Sequence, residues 1–184
     1  MSTSIRTTLR TTTSLSAALI LCGILCAGQC SNGTKEQTQF SAEDDGVKQP
    51  VTVPNEVLRI LSNDERVRSE LENEKITADK LLPSWFSTTQ IALGSRGSTD
   101  LLVMGEGPLR GANVITFWVF VQTNSEYKLA LMTRAHDVDA QRKRTHGYRN
   151  LEASAETCCT ITTVEFRFDG NQYKESSEKT EDIK

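Results

Sequence analysis

Residues 164–173 read Val-Glu-Phe-Arg-Phe-Asp-Gly-Asn-Gln-Tyr. Val164, Phe166 and Phe168 alternate with Glu165 and Arg167, the period-two pattern of a strand with one dry and one wet face. Asp169-Gly170 then marks a hairpin, because glycine accepts a positive φ at low steric cost. Upstream, Ile115 to Val121 (ITFWVFV) is apolar at nearly every position, as expected of a central strand covered on both faces. From Gln90 onward the chain is therefore expected to be β-sheet.

These strands recur with a weak period of fifty residues. Gly94 opens a turn leading into Asp100-Leu-Leu-Val, then Phe117-Trp-Val-Phe120 and Tyr127. Arg144-Thr-His-Gly147 leads in the same way into Asn150-Leu-Glu-Ala, then Val164 to Phe168 and Tyr173. Asp100 matches Asn150, Trp118 and Phe120 match Phe166 and Phe168, and Tyr127 matches Tyr173. Each copy reads as a β-meander. Two meanders fall short of the four blades a propeller needs. Asp100 and Asn150 fit a structural role in bonding the amides of the turn before each strand.

Ahead of the sheet, Val57, Leu58, Ile60, Leu61, Val67 and Leu71 have helical spacing after Pro54, with Asn63 and Asp64 interrupting. Either one helix to about Asn73 or two short ones follows, Asp64 capping the second. The expected fold class is α+β: an N-terminal amphipathic helix packed on a mostly antiparallel β sandwich or half-barrel built from two β-meander repeats.

The start of the chain reads as a targeting segment. Arg6 and Arg10 precede the apolar run Leu15 to Ala27, and the first thirty residues contain no acidic group. Thirteen residues of helix rise only about 20 Å, short of the roughly 30 Å hydrocarbon core, which favours a signal peptide over a membrane span. The organisation expected is signal peptide 1–29, disordered linker 30–53, a single α+β domain 54–174 and a disordered tail 175–184. Cys30 is a candidate lipidation site, although Gln29 stands where a bacterial lipoprotein signal has a small residue. The product is expected to be exported: periplasmic, attached to the cell envelope or secreted. It would meet a membrane only through the signal segment or that lipid anchor.

Net charge is −3 for the whole chain. Removing Arg6 and Arg10 leaves 19 Lys plus Arg against 24 Asp plus Glu, or −5. That balance argues against nucleic-acid binding. The local exception is Arg142-Lys143-Arg144, continued by His146 and Arg149. It reads as a solvated turn or as a contact for an anionic partner.

The segments Asp100-Leu-Leu-Val, Arg144-Thr-His-Gly-Tyr-Arg-Asn-Leu and Phe166 to Tyr173 resemble exported bacterial proteins of unknown function. These carry a glycine-tyrosine turn before Asp/Asn-Leu and a Tyr/Phe-Arg-Phe-Asp-Gly-x-x-Tyr hairpin. More loosely, the segments resemble β-blade repeats and the scaffold of periplasmic lysozyme inhibitors. The resemblance spans about 85 residues and rests on fold-making positions. It implies a β-meander fold. The calcium loops of true blade repeats are missing, so no calcium is implied.

No cofactor or metal is expected. His136-Asp137-Val138-Asp139 reads as an exposed turn, and no phosphate loop or nucleophile elbow is present. Cys158-Cys159 reads as one buried and one exposed thiol, because in an extended strand neighbouring side chains point to opposite faces, with a redox pair as the alternative. The expected function is a non-catalytic binding module of the envelope, inhibitor-like, with a protein or cell-wall polymer as partner. Its candidate contact residues are Arg144, His146, Tyr148 and Arg149. For Tyr148 a place in the core beside Tyr173 is an equal reading. The rival function is an envelope hydrolase using Asp100, His136 or His146, with His146 as a base for a serine or for Cys158, although nothing in the sequence orients it.

Overall fold

The computed structural model describes residues 36–94 and 98–183. The signal peptide expected at 1–29 and the candidate lipidation site Cys30 lie outside them. No helix among the described residues is long and apolar enough to cross a membrane.

The described chain is mostly antiparallel β, in two sheets, with two short helices. Its strands are β1 (Gln39–Ser41), β2 (Phe86–Ile91), β3 (Asp100–Gly105), β4 (Ile115–Thr123), β5 (Glu126–Ala135), β6 (Asp137–Thr145), β7 (Tyr148–Glu156), β8 (Thr160–Phe168) and β9 (Tyr173–Asp182). One sheet has the order β2-β3-β4-β5 and the other β1-β6-β7-β8-β9. The chain passes between them at His136, the only residue separating β5 from β6.

β4 shows why its run Ile115 to Val121 is apolar at every position but Thr116. Phe117, Val119 and Val121 enter a core shared with Leu151, Ala153 and Phe168 of the other sheet. Trp118 and Phe120 enter a second core against the helices. Successive side chains of a strand point to opposite faces, so a strand between two cores must be apolar at every position.

The helices are α1 (Asn55–Leu61) and α2 (Glu65–Asn73). Val57 and Leu61 of α1 and Val67 and Leu71 of α2 are buried against Trp85, Phe86 and Trp118. Of the two expected arrangements, the pair of helices forms because Asp64 stops one and starts the next. Its carboxylate Oδ1 accepts the Arg66 and Val67 N–H groups at 2.9 and 3.3 Å.

Two expected boundaries are corrected. The linker expected at 30–53 contains β1, and Phe40, Val47 and Val53 are buried. Arg110 holds this stretch by donating to the Ala42 and Asp44 carbonyls. Polar composition hid it because a three-residue strand needs only one core side chain, Phe40. The tail expected at 175–184 is largely β9, paired with β8 from Phe168↔Tyr173 to Thr160↔Asp182. Ladder hydrogen bonds hold that strand, and its side chains from Lys174 onward stay exposed. Strand β2 also begins earlier than Gln90, at Phe86.

Candidate functional site

The expected contact residues gather at the hairpin joining β6 to β7. His146 and Gly147 form its two-residue turn with φ of +50° and +83°, closed by the pair Thr145↔Tyr148. Positive φ at both positions matches the right-handed twist of the flanking strands. Just before the turn, the register passes from Ala140↔Leu151 to Arg144↔Arg149. Gln141, Arg142 and Lys143 therefore stand opposite Asn150 alone, in a bulge. Bulges re-aim side chains, and Arg142, Lys143, Arg144 and His146 are all exposed here.

Each expected contact residue also helps build this corner. The Arg144 guanidinium donates to the carbonyls of Leu93, Gly94 and Gly147 at 2.6, 2.8 and 2.9 Å. His146 donates from Nδ1 to the Phe168 carbonyl at 2.8 Å. Tyr148 packs on Phe168 at a ring separation of 4.1 Å, and Phe168 in turn meets Tyr173 at 5.3 Å. Tyr148 thus joins the edge of the core, partly exposed, with Phe168 between it and Tyr173. Arg149 pairs with Glu36 at 3.3 Å. Gly94 lets this corner close tightly, since a Cβ there would come within 3.2 Å of the side chains of both Tyr148 and Ser98 and push them apart.

Asp100 belongs to the same corner but is fully buried. Its carboxylate accepts the Gly94 N–H at 3.0 Å, the Ser98 hydroxyl at 2.9 Å and the Gln122 N–H at 3.0 Å. Three donors occupy its two oxygens, a structural role. Asn150, also fully buried, accepts the Thr145 hydroxyl and donates to Glu165, each at 2.8 Å. Glu165 further accepts from Arg167 at 2.9 Å and lies 3.5 Å from the Lys143 ammonium. The Arg167 hydrogen bond, followed by that of Asn150, draws its carboxyl down to about 2.

His136 lies elsewhere. It and His146 flank the nine residues of β6, and at about 3.3 Å per residue this sets them on the order of 30 Å apart. The same length of β7 separates His146 from Cys158, so His146 cannot act as its base. The two histidines proposed for hydrolysis therefore lie at opposite ends of the sheet that holds β6.

Around His136, a pocket of about 380 Å³ is lined by Glu43, Asn113, His136, Glu156, Thr157 and Cys158. The imidazole Nδ1 donates to Asp137 at 3.0 Å, and Nε2 is 3.8 Å from Glu43. The Asp137 hydrogen bond raises the His136 pKa, against the opposing effect of burial. Burial pushes the Asp137 carboxyl up, yet hydrogen bonds from Ser41, His136 and Ser154 bring it below its ordinary value. Burial and the nearby Glu152 and Asp137 raise Asp139. Among the described residues, no three His, Cys, Asp or Glu side chains are placed to hold a metal ion.

Cys158 and Cys159 are both exposed at the β7–β8 turn, which corrects the expectation of one buried and one exposed thiol in a strand. That expectation took them as extended chain, whereas they occupy the turn itself. The meeting of His136 with Cys158 was legible in principle. Counting outward from the His146-Gly147 turn brings residue 136 opposite the middle 150s. Compared with protein families, characterised proteins and solved structures, the chain matches none.

Proposed function

We propose that this protein is an exported, non-catalytic binding module whose β6–β7 corner docks an anionic protein or polymer of the cell envelope. The observation that carries this reading is the bulge and turn exposing Arg142, Lys143, Arg144 and His146 together on a chain of net charge −3. A cationic patch on an acidic body steers an anionic partner to one place. The corner is also preorganised, because Arg144 and His146 are tied to main-chain carbonyls before any partner arrives. Less ordering then remains to oppose binding.

Export rests on the basic and apolar pattern of residues 1–29. The resemblance to periplasmic inhibitor scaffolds makes the partner's class an envelope protein or wall polymer. The rival hydrolase loses support because Asp100 is saturated by donors and His136 is remote from His146. We also read β2–β5 and β6–β9 as two copies of one meander unit. Asp100 and Asn150 lie near the starts of β3 and β7, and Trp118–Phe120 and Phe166–Phe168 lie in β4 and β8.

The test is capture from envelope extracts by the tagged chain as its host exports it, beside an Arg142→Glu/Lys143→Glu variant. Specific recovery of an anionic component, lost with the variant, is the expected result. Release of soluble fragments from wall polymer by the parent chain, abolished in His136→Ala, would instead establish the hydrolase.

A further inference from the structure

The connection between β7 and β8 is closed by Thr157 N–H donating to the Thr160 carbonyl at 2.9 Å, with Cys158 and Cys159 as its two central residues. Thr157 braces the turn, its hydroxyl accepting the N–H groups of Cys159 and Thr160 at 3.4 and 3.1 Å. Ile183 N–H donates to the Cys159 carbonyl at 2.8 Å, tying the turn to the chain after β9. Opposite-face alternation holds only for extended backbone. At this turn the two thiols share one side, their sulfurs 2.7 Å apart.

We propose that Cys158 and Cys159 are a modification site, a vicinal dithiol that a disulfide oxidant of the glutathione class converts to an intramolecular disulfide. The ring closes through the peptide bond joining the two residues. One cysteine thiolate attacks the S–S bond of the oxidant, forming a mixed disulfide and releasing one oxidant thiolate. The second thiolate attacks the sulfur of the first cysteine. The Cys158–Cys159 bond forms, the mixed disulfide breaks and the second oxidant thiolate leaves. Two electrons pass to the oxidant, and the two cysteine protons go to solvent or to the departing thiolates.

Three further observations support the site. Both thiols are exposed, so the oxidant reaches them without unfolding. The hydrogen bond with Cys158 raises the Cys159 thiol above its ordinary value, which reports the same close approach of the two sulfurs. Cys158 also lines the pocket that holds His136, Glu43 and Glu156. Ring closure therefore reshapes a wall of that pocket, at the end of the sheet opposite the basic corner.

The experiment equilibrates the full chain in glutathione buffers of graded potential, traps free thiols by alkylation and digests with trypsin. Residues 150–167 form one tryptic peptide that holds both cysteines and excludes Cys22, Cys26 and Cys30. The expected result is passage of this peptide from a doubly alkylated form to an unalkylated form lighter by two hydrogens, with no cross-link. Phenylarsine oxide, which condenses with two neighbouring thiols, should bind the reduced chain and bind folded Cys158→Ser or Cys159→Ser at least about tenfold more weakly. A peptide that stays doubly alkylated in excess oxidised glutathione would overturn the proposal. So would one that carries glutathione on each cysteine, or cross-links to the other cysteines or to a second chain.

Discussion

The carboxylate of Asp64 serves two partners at once: one oxygen caps α2, and the other accepts the indole N–H of fully buried Trp118 at 3.0 Å. This single side chain fixes the helix start against the central strand. Trp118 in turn meets Phe86 edge to face at 5.9 Å. Helix and sheet are therefore locked in register by a hydrogen bond at the edge of an apolar core.

Replacing Asp64 tests that lock. Asp64→Ala removes a cap, worth about 1 kcal/mol, and strands a buried indole N–H at a further cost of about 1–3 kcal/mol. Urea unfolding should show a total loss of about 2–4 kcal/mol with an unchanged m value. Asp64→Asn keeps one oxygen for the cap but turns an amide NH2 toward the indole N–H, so it should lose about 1–3 kcal/mol, short of the alanine loss by the value of the cap. Equal losses in the two variants would contradict the dual role.

Asp100 should matter for stability rather than chemistry. Asp100→Ala leaves the Gly94 and Gln122 N–H groups and the Ser98 hydroxyl without their acceptor. A loss of about 3 kcal/mol or more follows, measured by chemical unfolding. A variant as stable as the parent would show that the carboxylate is free for another task.

Several of these roles were legible in the sequence, because periodicity reports which side chains meet a core. The helical spacing from Val57 to Leu71, the doubly apolar β4 and the alternation in β8 all reflect burial. The interruption at Asn63-Asp64 marked the helix break. Strand β9 escaped because it borders only β8, so backbone pairing and contacts such as Thr162 to Thr180 at 3.1 Å replace hydrophobic burial. Strand β1 escaped for its length. At the candidate site, the Arg142–Arg149 cluster was visible as charge. The bulge that presents it depends on a register that no single strand encodes, and the carbonyls that Arg144 holds at Leu93 and Gly94 are fifty residues away in sequence.

Glu165 gives the fold an acid-sensitive element. Its carboxyl titrates at about 2 in the folded chain, against an ordinary value of 4.5. A depressed carboxyl stabilises the fold above its ordinary pKa, and that contribution is lost as pH falls through the folded value. The stability difference between the parent and Glu165→Gln should therefore be full at neutral pH, shrink below about pH 4.5 and vanish near pH 2. A difference that does not change with pH would show that the Asn150–Glu165–Arg167 network carries no charge-dependent stability.

The most direct test of the binding account is the affinity of the captured envelope partner for the parent chain across a salt series, beside Arg142→Glu/Lys143→Glu. Both replaced residues are exposed, so the variant should fold as the parent does, with a stability loss of no more than about 1 kcal/mol from the carboxylate brought beside Glu165. The account predicts affinity that falls steadily with salt for the parent, and binding at least about tenfold weaker in the variant at low salt. Equal affinity of the two proteins at every salt concentration would contradict it and move the binding surface away from the β6–β7 corner.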